Sequence, residues 1–162
     1  MIPAPFSTQR PQAAPAADET LDIVFIEGLQ GNTVIGIDDG EFHVPQPLVI
    51  DVQAGVPRLR ACDSDRIGDT IHYGLVRERI LRLLREHRVQ LLEAFAESVA
   101  TILLDEFGAR WVRVKVAKPR KFDDVQAVGV QIERRAEEDA LQSHRGAAVL
   151  HLIGRGMVPG QR

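Results

Sequence analysis

The sequence predicts an α+β fold, a two-layer sandwich in which two helices cover a four-stranded antiparallel sheet. Two strand-like segments come first, two amphipathic helical segments follow, and two more strand-like segments come last. The strand-like segments alternate apolar and polar residues, so each presents one apolar face that has to be covered. The two helices each have an apolar face and supply that cover. The predicted order is therefore β-hairpin, two helices, β-hairpin.

The first hairpin is predicted in the N-terminal part of the domain. Residues 21–29 alternate loosely, which is typical of a strand. Residues 33–37 form a short β-branched stretch, and the following Asp38-Asp39-Gly40 is a turn signal. Residues 47–54 alternate regularly and predict the returning strand. We expect a loop after this strand, over residues 55–69.

The helices are predicted from apolar residues spaced three and four apart, which fall on one helical face. The first covers residues 74–87 and the second residues 90–107, where Gly108 suits a C-terminal cap. The second hairpin follows, with strands over residues 111–118 and 124–133. Each of these strands carries apolar side chains on one face only.

The composition of the chain indicates the bounds of the folded domain, its expected partners and its location. Residues 1–19 hold four of the nine prolines and lack periodicity, so we expect a disordered leader, a folded domain over 20–134 and a C-terminal extension over 135–162. The net charge of −3 predicts no general attraction to nucleic acid or anionic membranes, and no apolar run is long enough to span a bilayer. The single cysteine, Cys62, rules out an intrachain disulfide, which fits a cytoplasmic location.

The motifs of several common chemistries are missing. There is no glycine-rich phosphate loop, no GxSxG elbow and no zinc-type spacing of histidines and cysteines, so no metal site and no cofactor are expected. Four polar residues at the ends of predicted elements remain as candidates: Glu41, Tyr73, Glu93 and Lys118. A purely structural interpretation also stays open. Glu41 could be an exposed acid of the hairpin, Tyr73 could anchor the start of the first helix, and Lys118 could belong to a solvated basic turn.

Two positions near these candidates have further interpretations. Asp69 or Thr70 could cap the first helix, because Asp and Thr are preferred at that position. Glu93 lies in the first turn of the second helix, where the helix dipole favours an acid. A carboxylate there can also accept two parallel N–H bonds from a flat ring edge, while free backbone N–H groups meet a ring oxygen.

Seven short motifs stand out along the chain, which are FIEGL (25–29), TVIGI (33–37), QPLVID (46–51), DTIHY (69–73), LLEAFAE (91–97), VKVAKP (114–119) and VGVQIER (128–134). Together they resemble one known family, the dihydroneopterin aldolases of folate biosynthesis. Each motif alone is weak, but their order and spacing are specific, and the resemblance covers residues 22–134. It implies the tunnelling fold, in which subunits form a ring around a central β-barrel. It also implies a homo-oligomer, a tetramer or an octamer, with active sites between subunits.

The resemblance also implies roles for the substrate-binding residues. Glu93 would hold the 2-amino and ring N–H edge of a pterin, helped by the backbone N–H near Leu92. Tyr73, with Thr70 and Ile71 beside it, would reach the substrate from the adjacent subunit.

The same resemblance implies the catalytic roles. Lys118 would be the general base and Glu41 would hold the polar network of the site, in a retro-aldol cleavage of 7,8-dihydroneopterin without a metal or a Schiff base. The chemistry of the reaction adds two expectations: Tyr73 would deliver a proton to the resulting enamine, and desolvation would help Lys118 to lose its own proton. A nearby cation such as Arg120 or Lys121 would add to that effect.

One segment departs from the family pattern. Many aldolases follow the lysine-proline pair with small residues, whereas residues 120–124 here are bulky and charged. Dihydroneopterin triphosphate epimerase shares the fold, and basic residues near its site would suit a triphosphate. Residues 91–94 and 128–130 resemble the aldolases more than the epimerase, so the aldolase is the favoured alternative. A pterin-binding paralogue without catalysis is the third alternative.

Overall fold

The computed structural model describes residues 20–136, which form one antiparallel sheet with helices on one face. The strands are β1 (Leu21–Thr33), β2 (Gln46–Pro57), β3 (Trp111–Pro119) and β4 (Ala127–Arg135), and they lie in that order across the sheet. The helices are α1 (Ala61–Ser64), α2 (Tyr73–Glu86) and α3 (Leu92–Asp105), with a 3-10 turn at Ile67–Asp69. The predicted fold class is confirmed. The leader, 1–19, and the C-terminal extension beyond residue 136 lie outside the described residues.

The core lies between the sheet and the two long helices. Alternate residues of the central strands point into it, and they include Leu48, Ile50, Val52, Val112, Val114 and Val116. The helices α2 and α3 contribute Val76, Ile80, Leu84, Phe95, Val99 and Leu103 to the same cluster. Full burial of side chains of this size stabilises the fold by about 1.5–3 kcal/mol each. The even-numbered positions of β3 therefore define the covered face of the sheet.

A β-bulge in β1 changes which side chains face the core. Ile26 pairs with Val52 and Leu29 pairs with Ile50, so two residues of β1 stand opposite one residue of β2. Gly28 adopts φ +70, and its N–H donates to Asp51 Oδ1 at 2.6 Å. The extra residue shifts the alternation, which lets both Ile26 and Leu29 face the helices.

The β-branched stretch at residues 33–37 is not a strand beyond Thr33. Its next residues leave the sheet because Ile35 turns its side chain into the core, where it is 1% exposed. The Ile35 carbonyl then accepts hydrogen bonds from Gln46 Nε2 and Lys118 Nζ instead of a strand partner. Gly36 follows with φ +142, a conformation that β-branched residues avoid. The segment thus becomes a loop that passes over the end of β3.

The connection between β2 and α2 also differs from the predicted loop. β2 continues to Pro57, and α1 and the 3-10 turn follow it. The N-cap of α2 is His72, whose Nδ1 accepts from Leu75 N at 3.3 Å, so the prediction of Asp69 or Thr70 as the cap was wrong. Asp69 instead accepts hydrogen bonds from Ser64 and Arg66 in its own turn.

Candidate active site

Lys118 lies one residue before the end of β3, on the face that the helices cover. It continues the series of buried even-numbered residues on this strand, so its side chain points inward and is only 10% exposed. Its Nζ donates to Glu41 Oε1 at 2.8 Å and to the Ile35 carbonyl at 3.2 Å. The solvated basic turn is therefore excluded as a description of Lys118.

Glu41 is the fixed acceptor at the centre of this arrangement. Its Oε2 accepts from the backbone N–H groups of Ile37 and Asp38 at 3.1 and 3.3 Å. Its Oε1 accepts from the ammonium groups of both Lys118 and Lys121. The hydrogen bond from Lys118, followed by that from Lys121, holds the pKa of the Glu41 carboxyl far below its ordinary value, although burial acts in the opposite direction. Glu41 is therefore a carboxylate at neutral pH, and it is buried rather than an exposed hairpin acid.

A cavity of about 230 Å³ opens beside this pair. It brings together four of the predicted site residues, which are Glu41, Leu92, Glu93 and Lys118. Glu93 is exposed in the first turn of α3, as predicted, and Leu92 is half-buried beside it. The first N–H groups of a helix have no partner within the helix, so the cavity faces backbone donors as well as a carboxylate.

The other three predicted residues lie elsewhere in the chain. Thr70 and Ile71 line a different cavity, which also contacts Phe107 beyond the C-terminal end of α3. Tyr73 begins α2 and is 65% exposed. The cavity at Lys118 contacts the opposite, N-terminal end of α3, and a helix of 14 residues is about 20 Å long. One chain therefore does not bring Tyr73, Thr70 and Ile71 to Lys118.

Lys121 is a cavity residue that the sequence indicated only as a neighbouring cation. Pro119 ends β3, and Arg120 then adopts φ +52 with its N–H donating to the Gln126 carbonyl. This turn brings the Lys121 side chain back over the cavity and onto Glu41. The signal in the sequence is the Lys-Pro-Arg-Lys run, but the direction of the turn depends on the left-handed backbone at Arg120.

The opposite face of the sheet carries a larger cavity of about 350 Å³, and both of its basic residues are held in ion pairs. Arg113 pairs with Glu133 at 2.6 Å, and Lys115 lies 3.9 Å from Asp51. Over residues 20–136, no cluster of three or more His, Cys, Asp or Glu side chains is arranged to hold a metal ion. None of the helices in this part of the chain has the length and apolar character needed to cross a membrane.

Comparison with known proteins identifies the family. The family model for dihydroneopterin aldolase (FolB) matches residues 24–133. The dihydroneopterin aldolase of Escherichia coli is 39% identical over 114 residues, covering 70% of this chain and 93% of that protein. The dihydroneopterin aldolase of Streptomyces coelicolor is 31% identical over 110 residues, covering 65% of this chain and 92% of that protein.

A solved structure agrees with these relatives. The crystal structure of the Escherichia coli dihydroneopterin aldolase in complex with neopterin matches with a TM-score of 0.66 at 39% identity, covering 70% of this chain and 98% of that chain. A buried lysine that hydrogen-bonds a carboxylate beside a cavity has the groups that general acid–base catalysis uses. The chain belongs to the dihydroneopterin aldolase family. The predicted family and the predicted class of enzyme, an aldolase, are thereby confirmed.

Proposed function

We propose that this protein cleaves 7,8-dihydroneopterin into 6-hydroxymethyl-7,8-dihydropterin and glycolaldehyde, a step of folate biosynthesis in the cytoplasm. Family membership supports the reaction, and the related Escherichia coli structure contains neopterin. The observation that carries the proposal is that Lys118 and Glu93 line the same cavity. A base and a pterin anchor thus face the same space.

The base is Lys118. Two directions around its Nζ are taken by Glu41 Oε1 and the Ile35 carbonyl, and both acceptors are fixed by the fold. In the neutral amine the two N–H groups keep these bonds, and the lone pair takes the remaining direction. Lys118 then accepts the proton of the side-chain 2′-hydroxyl, directly or through a water molecule.

The substrate itself accepts the electrons of the breaking bond. When the 2′-oxygen loses its proton, the C1′–C2′ bond breaks, glycolaldehyde leaves, and the electron pair moves into the conjugated imine of the dihydropterin. A proton then returns to the resulting enamine, and Tyr73 delivers it. This route uses no metal and no Schiff base, so the protein only has to orient the ring and move protons.

The N-terminal end of α3 holds the pterin. Glu93 accepts two parallel N–H bonds from the 2-amino and ring N–H edge, and the backbone N–H near Leu92 donates to the ring oxygen. The exposed position of Glu93 in the first helical turn supports this role, because its carboxylate is free to meet the ring edge.

The complete site is shared between subunits of a tetramer or an octamer. The cavity at Lys118 measures about 230 Å³, below the range of about 300–1,000 Å³ that is usual for small-molecule sites. A neighbouring subunit closes it and brings Tyr73, Thr70 and Ile71. The exposed ring of Tyr73 and the position of Thr70 and Ile71 beyond the far end of α3 support this arrangement.

The charges around the cavity favour the aldolase over the triphosphate epimerase. Glu41, Glu93, Lys118 and Lys121 all line it, so two carboxylates balance two ammonium groups. Lys118 and Lys121 are already bonded to Glu41. A triphosphate needs cations in excess, whereas dihydroneopterin is uncharged and suits a balanced site.

Turnover of dihydroneopterin with product analysis tests the proposal. Wild-type protein should release glycolaldehyde and 6-hydroxymethyl-7,8-dihydropterin, and Lys118→Ala should lower kcat by about 10²–10⁴-fold. The matched control is Lys115→Ala on the same strand, because Lys115 points to the opposite face and should leave kcat unchanged.

Three other outcomes contradict the proposal, each in its own way. Equal rates for wild type and Lys118→Ala remove Lys118 from the mechanism. Turnover of dihydroneopterin triphosphate to its 2′ epimer, without aldol cleavage, identifies an epimerase. Pterin binding that leaves dihydroneopterin intact identifies a binding protein.

A further inference from the structure

We infer that Lys121 is a positioning residue that keeps the Glu41 carboxylate neutralised while Lys118 is in its uncharged, basic form. The inference rests on the proposed function, in which Lys118 is the general base. It assigns a separate task to each of the two lysines that share one carboxylate oxygen.

The contacts of Lys121 set it apart from an ordinary solvated lysine. Its ammonium bonds to Glu41 Oε1, the same atom that accepts from Lys118 at 2.8 Å, and it lies 3.9 Å from Asp38 Oδ2. Its side chain is 26% exposed, compared with 10% for Lys118. Water therefore reaches Lys121 more easily, and hydration stabilises a charged group. Of the two lysines, Lys121 is the one suited to remain a cation.

The charge balance explains what Lys121 contributes. With both lysines protonated, the group of Glu41, Lys118 and Lys121 has a net charge of about +1, from two cations and one carboxylate. Loss of the Lys118 proton leaves one cation and one carboxylate, which is a balanced buried pair. Without Lys121, the same loss would leave a buried carboxylate with no cation, which is costly. Lys121 thus makes the basic form of Lys118 accessible.

The other charged groups around Lys118 do not replace Lys121. The loop after β1 places Glu41 beside Lys118, and the exposed Asp38 lies further out on the same loop. Helix α3 contributes the exposed Glu93 to the same cavity. All three are acids, so each favours a protonated lysine. The cavity residues of β4, which are Val128, Gly129 and Val130, carry no charge. The β3–β4 turn therefore supplies the second ammonium group of this cavity, through Lys121.

The test is the pH dependence of kcat/KM for dihydroneopterin in Lys121→Met and Lys121→Arg. In Lys121→Met the rise of kcat/KM with increasing pH should occur about one pH unit higher than in wild type. On this ascending limb of the profile, kcat/KM should therefore be about tenfold lower at a given pH. KM should change little, because Lys121 acts on the base and not on the pterin ring. Lys121→Arg keeps the cation and should restore the wild-type profile.

Two controls make the result specific. Arg120→Gln removes the neighbouring exposed cation and should leave the limb in place. Binding of neopterin to each variant shows that the cavity is formed, and Lys121→Gln replaces Lys121→Met in the comparison if the methionine variant does not fold.

The inference is overturned if the uncharged variants lose rate equally at every pH, or if arginine fails to restore the limb. Either result means that Lys121 only supports the structure. An unshifted limb together with an inactive Lys118→Ala refutes this inference alone. A fully active Lys118→Ala refutes the proposed function as well.

Discussion

At the scale of single residues, the site depends on one carboxylate that is held by four donors. Two backbone N–H groups bond Glu41 Oε2, and the ammonium groups of Lys118 and Lys121 bond Oε1. The backbone donors belong to the loop that follows Gly36. The position of Lys118, the proposed base, is therefore set by the path of this loop, and Gly36 is the residue that allows the path.

Replacing Gly36 by alanine should slow the enzyme by displacing Glu41, the carboxylate that holds Lys118. A Cβ at Gly36 would lie 2.0 Å from Glu41 Oε2, and its φ of +142 is also unfavourable for alanine. Glu41 would have to move, and a displacement of about 1 Å at a catalytic group can cost about 100-fold in rate. We expect a loss of kcat of that size.

The matched control is Gly40→Ala in the same loop. No atom lies within 4 Å of a Cβ built at Gly40. This variant should keep its activity, and a comparable loss in both variants would show that Gly36 has no special role. Steady-state kinetics and thermal melting of the two proteins make the comparison.

At the scale of helices and strands, the period and spacing of the apolar residues predicted most of the elements. The alternation in β2 and β3 predicted which residues are buried, and the spacing of three and four predicted α2 and α3, because both depend on local sequence. The bulge at Gly28 and the loop at Ile35 were not predicted. Both depend on partners distant in sequence, which are Asp51 for Gly28, and Gln46 and Lys118 for Ile35.

The predictions for the site divide in the same way. Positions within a strand or helix were predicted from local sequence, whereas a contact between distant residues was not. The sequence placed Lys118 at a strand end and Glu93 in a first helical turn, as the structure has them. It did not predict that Glu41 is buried on Lys118, since this contact joins residues 77 positions apart. Only the resemblance to a family brought Glu41 and Lys118 into one site.

His87 links the end of α2 to β1 and should make stability depend on pH. Its Nε2 lies 2.6 Å from Thr33 Oγ1, and its ring packs edge-on against Phe95. Burial lowers the pKa of His87 below its ordinary value of 6.5. The unfolded chain therefore binds a proton more readily than the folded one, and stability is lost as the pH falls below about 6.5 toward the pKa in the folded state.

Replacing His87 by glutamine should reduce this dependence. The slope of the urea midpoint between about pH 7 and pH 5 should be shallower in His87→Gln than in wild type. His43 lies exposed in the loop after β1, so His43→Gln should keep the wild-type slope. Equal slopes for wild type and His87→Gln would contradict a role for His87 in the pH dependence.

At the scale of the whole molecule, the candidate site is divided between the two ends of α3. The cavity with Lys118 lies at its N-terminal end, and the cavity with Thr70 and Ile71 lies beyond its C-terminal end. A ring of subunits would place one end of each chain beside the opposite end of the next. The proposed assembly would unite the two proposed half-sites, which lie at opposite ends of α3 within one chain.

Mixing two inactive variants tests this arrangement directly. Tyr73→Phe lacks the proposed proton donor and Lys118→Ala lacks the proposed base, so each protein alone should have little activity. If every site takes Lys118 from one subunit and Tyr73 from its neighbour, random co-assembly of equal amounts restores about a quarter of the sites. Activity of the co-expressed mixture should therefore rise to about a quarter of the wild-type value. If both residues act within one chain, every site in the mixture lacks one of them, and the activity stays at the average of the two variants.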